Sequence, residues 1–324
     1  METSQAMRRV AAPAYADDVG RQSATPSLGD EVRRLARNWS VELTPRETER
    51  FGTAVREHVP AGTCVYITWL TGTDFAPSVA AAAKLRAAGL EPVPHLAARA
   101  IRDKDTLDDM LVRLRGEADV RQVLVIGGAL REPKGSFDAS IQVLHSGLLE
   151  HHGIRRLGVA AHPEGSPDIA PAALDEAVTL KNEYAARSGS QLELTTQFCF
   201  DPAPITQWER RTRAAGNRLP VVVGLAGLAG VTTLIKHARN CGVGSSIGVL
   251  LKQAGKVLRL ATAVDPSDLL LGLARARWGD AESAIARLHF FPFGAFEATA
   301  RYAQALEQGR FEIVDAERRI VVSH

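Results

Sequence analysis

Residues Thr195–Asp201, TTQFCFD, finish an apolar run with an amide, two phenylalanines and a carboxylate side by side. A core strand needs only the apolar members. Gln197 brings a donor and an acceptor into that setting, and a buried amide without partners is costly. Beside Phe198, its amide face suits a flat, polar, fused heterocycle. Other polar groups stand near the ends of similar runs: Glu42 in VELTP, Thr68, His95 between Pro94 and Leu96, and His162 and Glu164 in AAHPEGSP. The pair Gly127–Gly128 lets backbone approach a ring or a phosphate, or makes a tight turn. Each position has a plain reading beside the chemical one. Glu42 is a surface group or helix cap, or an acid at a site. His95 is a hydrogen-bonded core histidine, or faces a ligand. HPEGSPD is a loop of turn formers, or part of a binding rim. The aromatic stretch HFFPFGAF, His289–Phe296, is core packing or a ring-binding wall.

Something must carry these residues to one place. Eight β-rich runs recur along the chain: Asn38–Leu43, Cys64–Trp69, Glu91–Ala98, Arg121–Gly128, Arg155–Pro163, Leu192–Phe200, Pro220–Gly227 and Ala286–Phe293. Most are continuously apolar, as in strands buried on both faces of a parallel sheet. Helical patterns separate them. Ser78–Ala88 is alanine-rich and stops at Gly89, Thr106–Leu114 repeats leucine at helical spacing, and Pro171–Arg187 opens on proline and closes at Gly189. Eight such units predict a single (β/α)8 TIM barrel over residues 28–324, with the polar strand ends gathered at one mouth. The alternative, an open doubly wound sheet, lacks a GxGxxG fingerprint after its first strand. The long interval before the eighth strand predicts an extra helical insertion that includes Asp265–Trp278. Residues 1–27 are expected to form a mobile extension.

Composition narrows the partners. Apolar residues make up 45% and charged residues 23% of the 324, and the formal net charge is +2. That balance offers no concentrated positive field for nucleic acid. The arginines of Arg210–Arg218 are expected on a solvated helix end. No apolar run is long enough for a membrane span, and the N-terminus lacks the apolar core of a signal peptide. Three cysteines, Cys64, Cys199 and Cys241, fit a reducing, cytoplasmic compartment. No zinc-type spacing is present, so no metal is expected.

Taken together, SVELTP at the first strand, PHL at the third, HPE at the fifth, LK ahead of the sixth and TQFCFD at its end resemble methylenetetrahydrofolate reductase. The resemblance covers roughly Asn38–Gln308, and it is to the short bacterial type without the regulatory domain of longer eukaryotic enzymes. It implies a barrel that interconverts 5,10-methylene-tetrahydrofolate and 5-methyl-tetrahydrofolate by hydride transfer, with NAD(P)H and FAD as cofactors. It puts the acid catalyst on Glu42, which would protonate the leaving folate nitrogen from a partly dry site with a raised pKa. It puts substrate contacts on Gln197 and Phe198, and cofactor contacts on Thr68, His95, Gly127, Gly128, Ala160, His162 and Lys181. A homo-oligomer is expected.

Three positions depart from that family's pattern. The Asp that follows its fourth strand is replaced in Gly127-Gly128-Ala129. Asn182 and Glu183 stand where it has a basic pair near the flavin diphosphate. Val231 replaces an aromatic after the seventh strand. The Asp lost after the fourth strand contacts the pterin in that family; Glu42 and Gln197 on the folate side are kept, while several groups that grip the flavin are not. Either FAD is held by altered contacts such as Arg99 or Arg131, or the nicotinamide delivers its hydride directly. A folate-binding methyltransferase and a non-catalytic folate-binding homologue are the alternative functions.

Overall fold

A computed structural model describes residues 27–70, 72–240 and 264–323. Eight parallel strands close into a barrel in chain order: β1 Ser40–Leu43, β2 Cys64–Ile67, β3 Glu91–Ala97, β4 Gln122–Ile126, β5 Arg156–Ala161, β6 Gln191–Cys199, β7 Val221–Ala226 and β8 Ile285–Phe291. Closure is made by β1 against β8, with Ser40 opposite His289 and Val41 opposite Phe290. The (β/α)8 expectation therefore holds. All eight strands lie within the runs read from the sequence or start one residue from them.

Strand side chains alternate between two cores. Val41, Leu43, Val65, Ile67, Val123, Val125, Leu157, Val159, Val221, Val223 and Leu225 face outward and pack under the helices in the main apolar cluster. A separate small cluster of Tyr66, Val93 and Leu124 fills the barrel interior. Gly158 makes room for it. A Cβ there would come within 2.9 Å of Leu124 Cδ1, 3.3 Å of Thr195 Oγ1 and 3.5 Å of the Tyr66 hydroxyl.

The helices start and stop where local chemistry dictates. Pro45–Phe51 begins with a capping box in which Thr44 and Glu47 satisfy each other's backbone N–H. Lys104–Ala118 is capped by Asp103, which accepts from Thr106 N at 2.8 Å. Pro171–Ser188 has proline in its first turn and ends on Gly189 at φ 66°, a left-handed stop that glycine adopts without a Cβ penalty. Pro202–Ala214 is capped by Asp201, which accepts from Ala203 N. Asp201, the carboxylate of TTQFCFD, is thus spent on the helix it precedes. Arg210, Arg211 and Arg218 are exposed at and beyond the far end of that helix.

The insertion before β8 contains helices Val231–Asn240 and Ser267–Trp278; residues 241–263, with Cys241, lie outside the described residues. Ser267–Trp278 packs on the first helix, Leu28–Ala36, where Arg277 Nε and Glu31 Oε1 form a buried ion pair at 2.5 Å. Among the described residues, two elements outside the eight strand–helix units had no counterpart in the sequence reading. One is Leu28–Ala36 itself, although Ser27 and Asp30 spell a capping box. The other is the C-terminal hairpin Phe311–Val314 with Arg319–Val322, tied to Ser267 Oγ through Ile320 N. Residues 1–26 of the expected N-terminal extension lie outside the described residues. No described helix is long and apolar enough to cross a membrane.

Candidate active site

Glu42 is an inward residue of β1, and its side chain is 16% exposed. Thr68, one residue past β2, donates its hydroxyl to Glu42 Oε1 at 2.9 Å. Two imidazoles flank the other oxygen. His95 Nε2 from β3 lies 3.2 Å from Oε2, and His289 Nε2 from β8 lies 3.8 Å from it. Glu42 Oε2 and both Nε2 atoms are buried, and none makes a well-aligned hydrogen bond. A carboxylate and two imidazoles meeting at one buried point, each perturbing the others, mark a candidate site rather than plain core.

The electrostatics correct one expectation. Burial alone would raise the Glu42 pKa, but His95 and His289 outweigh it and hold the carboxyl well below the usual carboxylate range. Glu42 is therefore an anion in the unliganded protein, not an acid of raised pKa. The sequence reading considered its dry setting without the two imidazoles. His289 itself is lowered, first by burial, against the pull of Glu42. Among the described residues no group of three or more His, Cys, Asp or Glu has metal-holding geometry.

Gln197 is set by an irregularity in β6. The register against β7 shifts between Thr195 and Phe198. Thr196 Oγ1 donates to the Gln197 carbonyl at 2.7 Å and accepts from Gly224 N at 2.9 Å, pinning the shift. A Cβ at residue 224 would lie 2.5 Å from the Gln197 carbonyl oxygen, so only glycine fits opposite. Such a bulge re-aims a side chain, and Gln197 is half-buried. Phe198 is 2% exposed and packs edge-on against Phe291 and Phe293 at 5.8 and 4.9 Å between centroids. It supports the wall. Phe291 and Phe293, stacked at 15° and half-buried, form its outer part. Phe293 holds φ 48°, a strained value for a bulky residue next to a site. HFFPFGAF is thus core at Phe290 and Phe296 and half-buried at Phe291 and Phe293.

The remaining residues from the sequence reading divide. Thr68 and His95 belong to the Glu42 cluster. Gly127 and Gly128 form the turn after β4. Gly128 has φ 92°, and a Cβ there would sit 3.1 Å from the Ala97 Cβ, so backbone comes close at that edge of the mouth. His162, just past β5, is half-buried, and burial with the nearby Lys181 lowers its pKa to about 4. Lys181 is turned inward. Its Nζ donates to the Ala160 carbonyl at 2.6 Å, and burial lowers its pKa to about 8. Glu164 lies beside the buried Cys199 thiol, whose pKa burial raises. Val231 opens the helix Val231–Asn240, and its side chain lies outside the described residues.

These positions do not fit a flavin diphosphate of the expected kind. Lys181 is committed to Ala160. Asn182 donates to Val178 O and Asn217 Oδ1 and accepts from Arg218 N. Glu183 is exposed and anionic. Arg99 is held by Asp138, at 3.1 Å, and by the Leu130 carbonyl. A diphosphate needs cations or N–H donors turned toward it; Glu183 carries none, the Asn182 amide is taken up by Val178 and Asn217, and Lys181 and Arg99 are already engaged by protein oxygens.

The sequence reading missed His289 as a partner of Glu42, together with the polar layer beneath it. Arg287, Glu193, Gln122 and Arg156 interrupt otherwise apolar strands at inward positions. Glu193 Oε1 accepts from the Tyr66 hydroxyl at 2.9 Å and Gln122 at 3.2 Å and pairs with Arg287, and Gln122 Oε1 accepts from Arg156 at 2.7 Å. The signal was present: a charge inside a strand buried on both faces requires a partner.

The methylenetetrahydrofolate reductase family model matches residues 36–254. The chain belongs to the methylenetetrahydrofolate reductase family. Among solved structures, an uncharacterized protein from Clostridium thermocellum that binds two copies of 5-methyl-5,6,7,8-tetrahydrofolic acid is similar at 10% identity, with 85% of this chain and 98% of that chain covered and a TM-score of 0.54. Dihydropteroate synthase from Thermus thermophilus matches at 14% identity over 83% of this chain and 92% of that one, with a TM-score of 0.41. A mandelate racemase/muconate lactonizing enzyme from Bordetella bronchiseptica matches at 16% identity, TM-score 0.40, over 83% of this chain; this chain spans 56% of that one. At 10% identity the Clostridium thermocellum match speaks for the barrel fold alone. The family assignment carries a folate-related function for the reductase-like chain.

Proposed function

We propose that the protein interconverts 5,10-methylene-tetrahydrofolate and 5-methyl-tetrahydrofolate by hydride transfer with NADH or NADPH. The observation that carries this reading is the convergence of Glu42, His95 and His289 on one buried point at the mouth. Reduction of the methylene compound requires a proton on N10 as the five-membered ring opens to an iminium, and then a hydride on the exposed carbon. Oxidation of the methyl compound reverses both. Glu42 is the proton carrier. Thr68 fixes its Oε1, so the carboxylate keeps one orientation. A bound pterin would cover what remains exposed of Glu42, and that further desolvation favours its protonated form. Gln197 reads the pterin edge with its amide. Phe291 and Phe293 supply the apolar wall.

The family is generally flavin-dependent, but Asn182 and Glu183 replace its basic pair near the diphosphate and Lys181, the expected cofactor contact, donates to Ala160. The hydride is therefore assigned to reduced nicotinamide without a flavin step. Tetrahydrofolate is the small-molecule partner in either direction.

The test compares wild type with Glu42→Gln, following nicotinamide oxidation on 5,10-methylene-tetrahydrofolate and binding of 5-methyl-tetrahydrofolate. Removing a positioned proton carrier lowers turnover by roughly 10²–10⁴-fold, with a much smaller change in folate affinity because the proton is needed in the transition state. A variant that turns over at the wild-type rate excludes Glu42 from that role. Methyl transfer to an added corrinoid, without nicotinamide turnover, would replace the reductase reading by a methyltransferase.

A further inference from the structure

Below Glu42 the barrel interior holds a polar chain that the reaction itself does not require. Arg287 pairs with Glu193 through one terminal nitrogen and donates to Ser40 Oγ through the other, at 2.7 Å. Ser40 Oγ lies 2.9 Å from His289 Nδ1. Ser40 is fully buried, and His289 is 1% exposed at its side chain. Arginine has donors only, so Ser40 Oγ accepts from it. The single proton of the serine then has one acceptor within reach, His289 Nδ1, and a buried hydroxyl proton is not left unpaired. An Nδ1 that accepts leaves the ring proton on Nε2, the nitrogen that faces Glu42 Oε2.

We propose that Arg287, Ser40 and His289 form a positioning chain that presents the Nε2–H of a neutral His289 to Glu42 and so sets the pH at which Glu42 takes up its proton. His289 is a positioning residue, acting on the reaction through Glu42, and this inference rests on the reaction proposed above. The ring plane is fixed from both sides, by Tyr66 at 4.4 Å and 51° and by the edge of Phe291 at 4.6 Å and 89°. The charged and titratable groups around it are Glu42 from β1, Tyr66 from β2, His95 from β3, Glu193 from β6 and Arg287 from β8. Arg287, so close beneath, disfavours a second positive charge on the imidazole, and burial acts in the same sense. A neutral Nε2–H donor favours the carboxylate of Glu42. Between turnovers the enzyme is thus poised with Glu42 as a base, and substrate must work against that bias to protonate it.

The first readout is the tautomer itself, on full-length protein labelled with ¹⁵N-histidine and without substrate. Long-range ¹H–¹⁵N spectra at neutral pH should show His289, assigned by its loss in His289→Gln, as the Nε2–H tautomer. An Nδ1–H tautomer or an imidazolium overturns the proposal. In Ser40→Ala the same signal should leave the pure Nε2–H pattern; an unchanged pattern means that Ser40 does not set it. The second readout is the pH profile of kcat for nicotinamide-dependent reduction, which reports Glu42 in the substrate complex, where bound pterin favours its protonated form. The limb that reports Glu42 should move to higher pH by about one unit in Ser40→Ala and His289→Leu, the scale on which a neighbouring group shifts a carboxyl. His289→Gln, whose amide NH₂ can take the place of Nε2–H, should restore the wild-type limb. A uniform drop in rate with no movement of the profile reduces His289 to packing and sinks the proposal. The spectra need no reaction, so a correct tautomer in a protein without reductase activity would fault the assigned function and leave the chain standing.

Discussion

Replacing Glu193 by Gln tests whether the polar layer beneath the site holds the barrel together. Its Oε1 accepts from Tyr66 and Gln122 and pairs with Arg287, with the two charged side chains only 18% and 15% exposed. Glutamine keeps the volume and one acceptor oxygen but strands the guanidinium. Removing one partner of a buried pair costs about 3–5 kcal/mol, and the residual exposure places this pair toward the lower end. Arg287→Met strands the carboxylate instead. Tyr66 and Gln122 still donate to it, so the loss should be smaller, about 2–3 kcal/mol. The double variant strands no charge. Well-packed neutral replacements of a buried pair are often close to neutral, so it should lie within about 1–2 kcal/mol of wild type. The cycle then returns a coupling of roughly 3–5 kcal/mol. Urea unfolding at neutral pH, followed by circular dichroism, gives all four stabilities. If the two single losses simply add in the double variant, the pair is not coupled and the argument for the layer fails.

Acid sensitivity should be traceable to His162. Its pKa is lowered by burial and by Lys181 to about 4, so between that value and its ordinary 6.5 the unfolded chain binds a proton that the folded one does not. Stability is then fully present above pH 6.5 and falls as pH drops through that window; His162→Asn should flatten the dependence measured by urea unfolding, and an unchanged slope assigns it elsewhere. Gly158→Ala places a methyl 2.9 Å from Leu124 Cδ1, and overpacking of this kind should cost roughly 1–3 kcal/mol; a wild-type unfolding midpoint would show that Tyr66 and Leu124 give way freely. Protein purified without harsh treatment should show no flavin absorption in the visible, because Lys181 and Asn182 are committed to protein partners; a stoichiometric flavin band would mean that other residues grip its diphosphate.

The order of the eight strands and the helices between them was legible in the sequence, because unbroken apolar runs and their glycine and proline brackets are local signals. So was Glu42, since an acid at the end of a first strand and TTQFCFD at the sixth form a specific pair of motifs. Inward or outward parity also follows from a period of two. Closure added what no local signal contains. It set β8 beside β1 and brought His289 to Glu42 from the far end of the chain, which turned an expected high-pKa acid into a held carboxylate. The bulge that aims Gln197 depends on how β6 slips against Gly224 of β7. Lys181, a cofactor contact by the family resemblance, donates its Nζ to the Ala160 carbonyl. Sequence determined which residues face the barrel axis. Only the tertiary structure decided which of them meet there, because the distances across a closed sheet are fixed by its stagger and not by spacing along the chain.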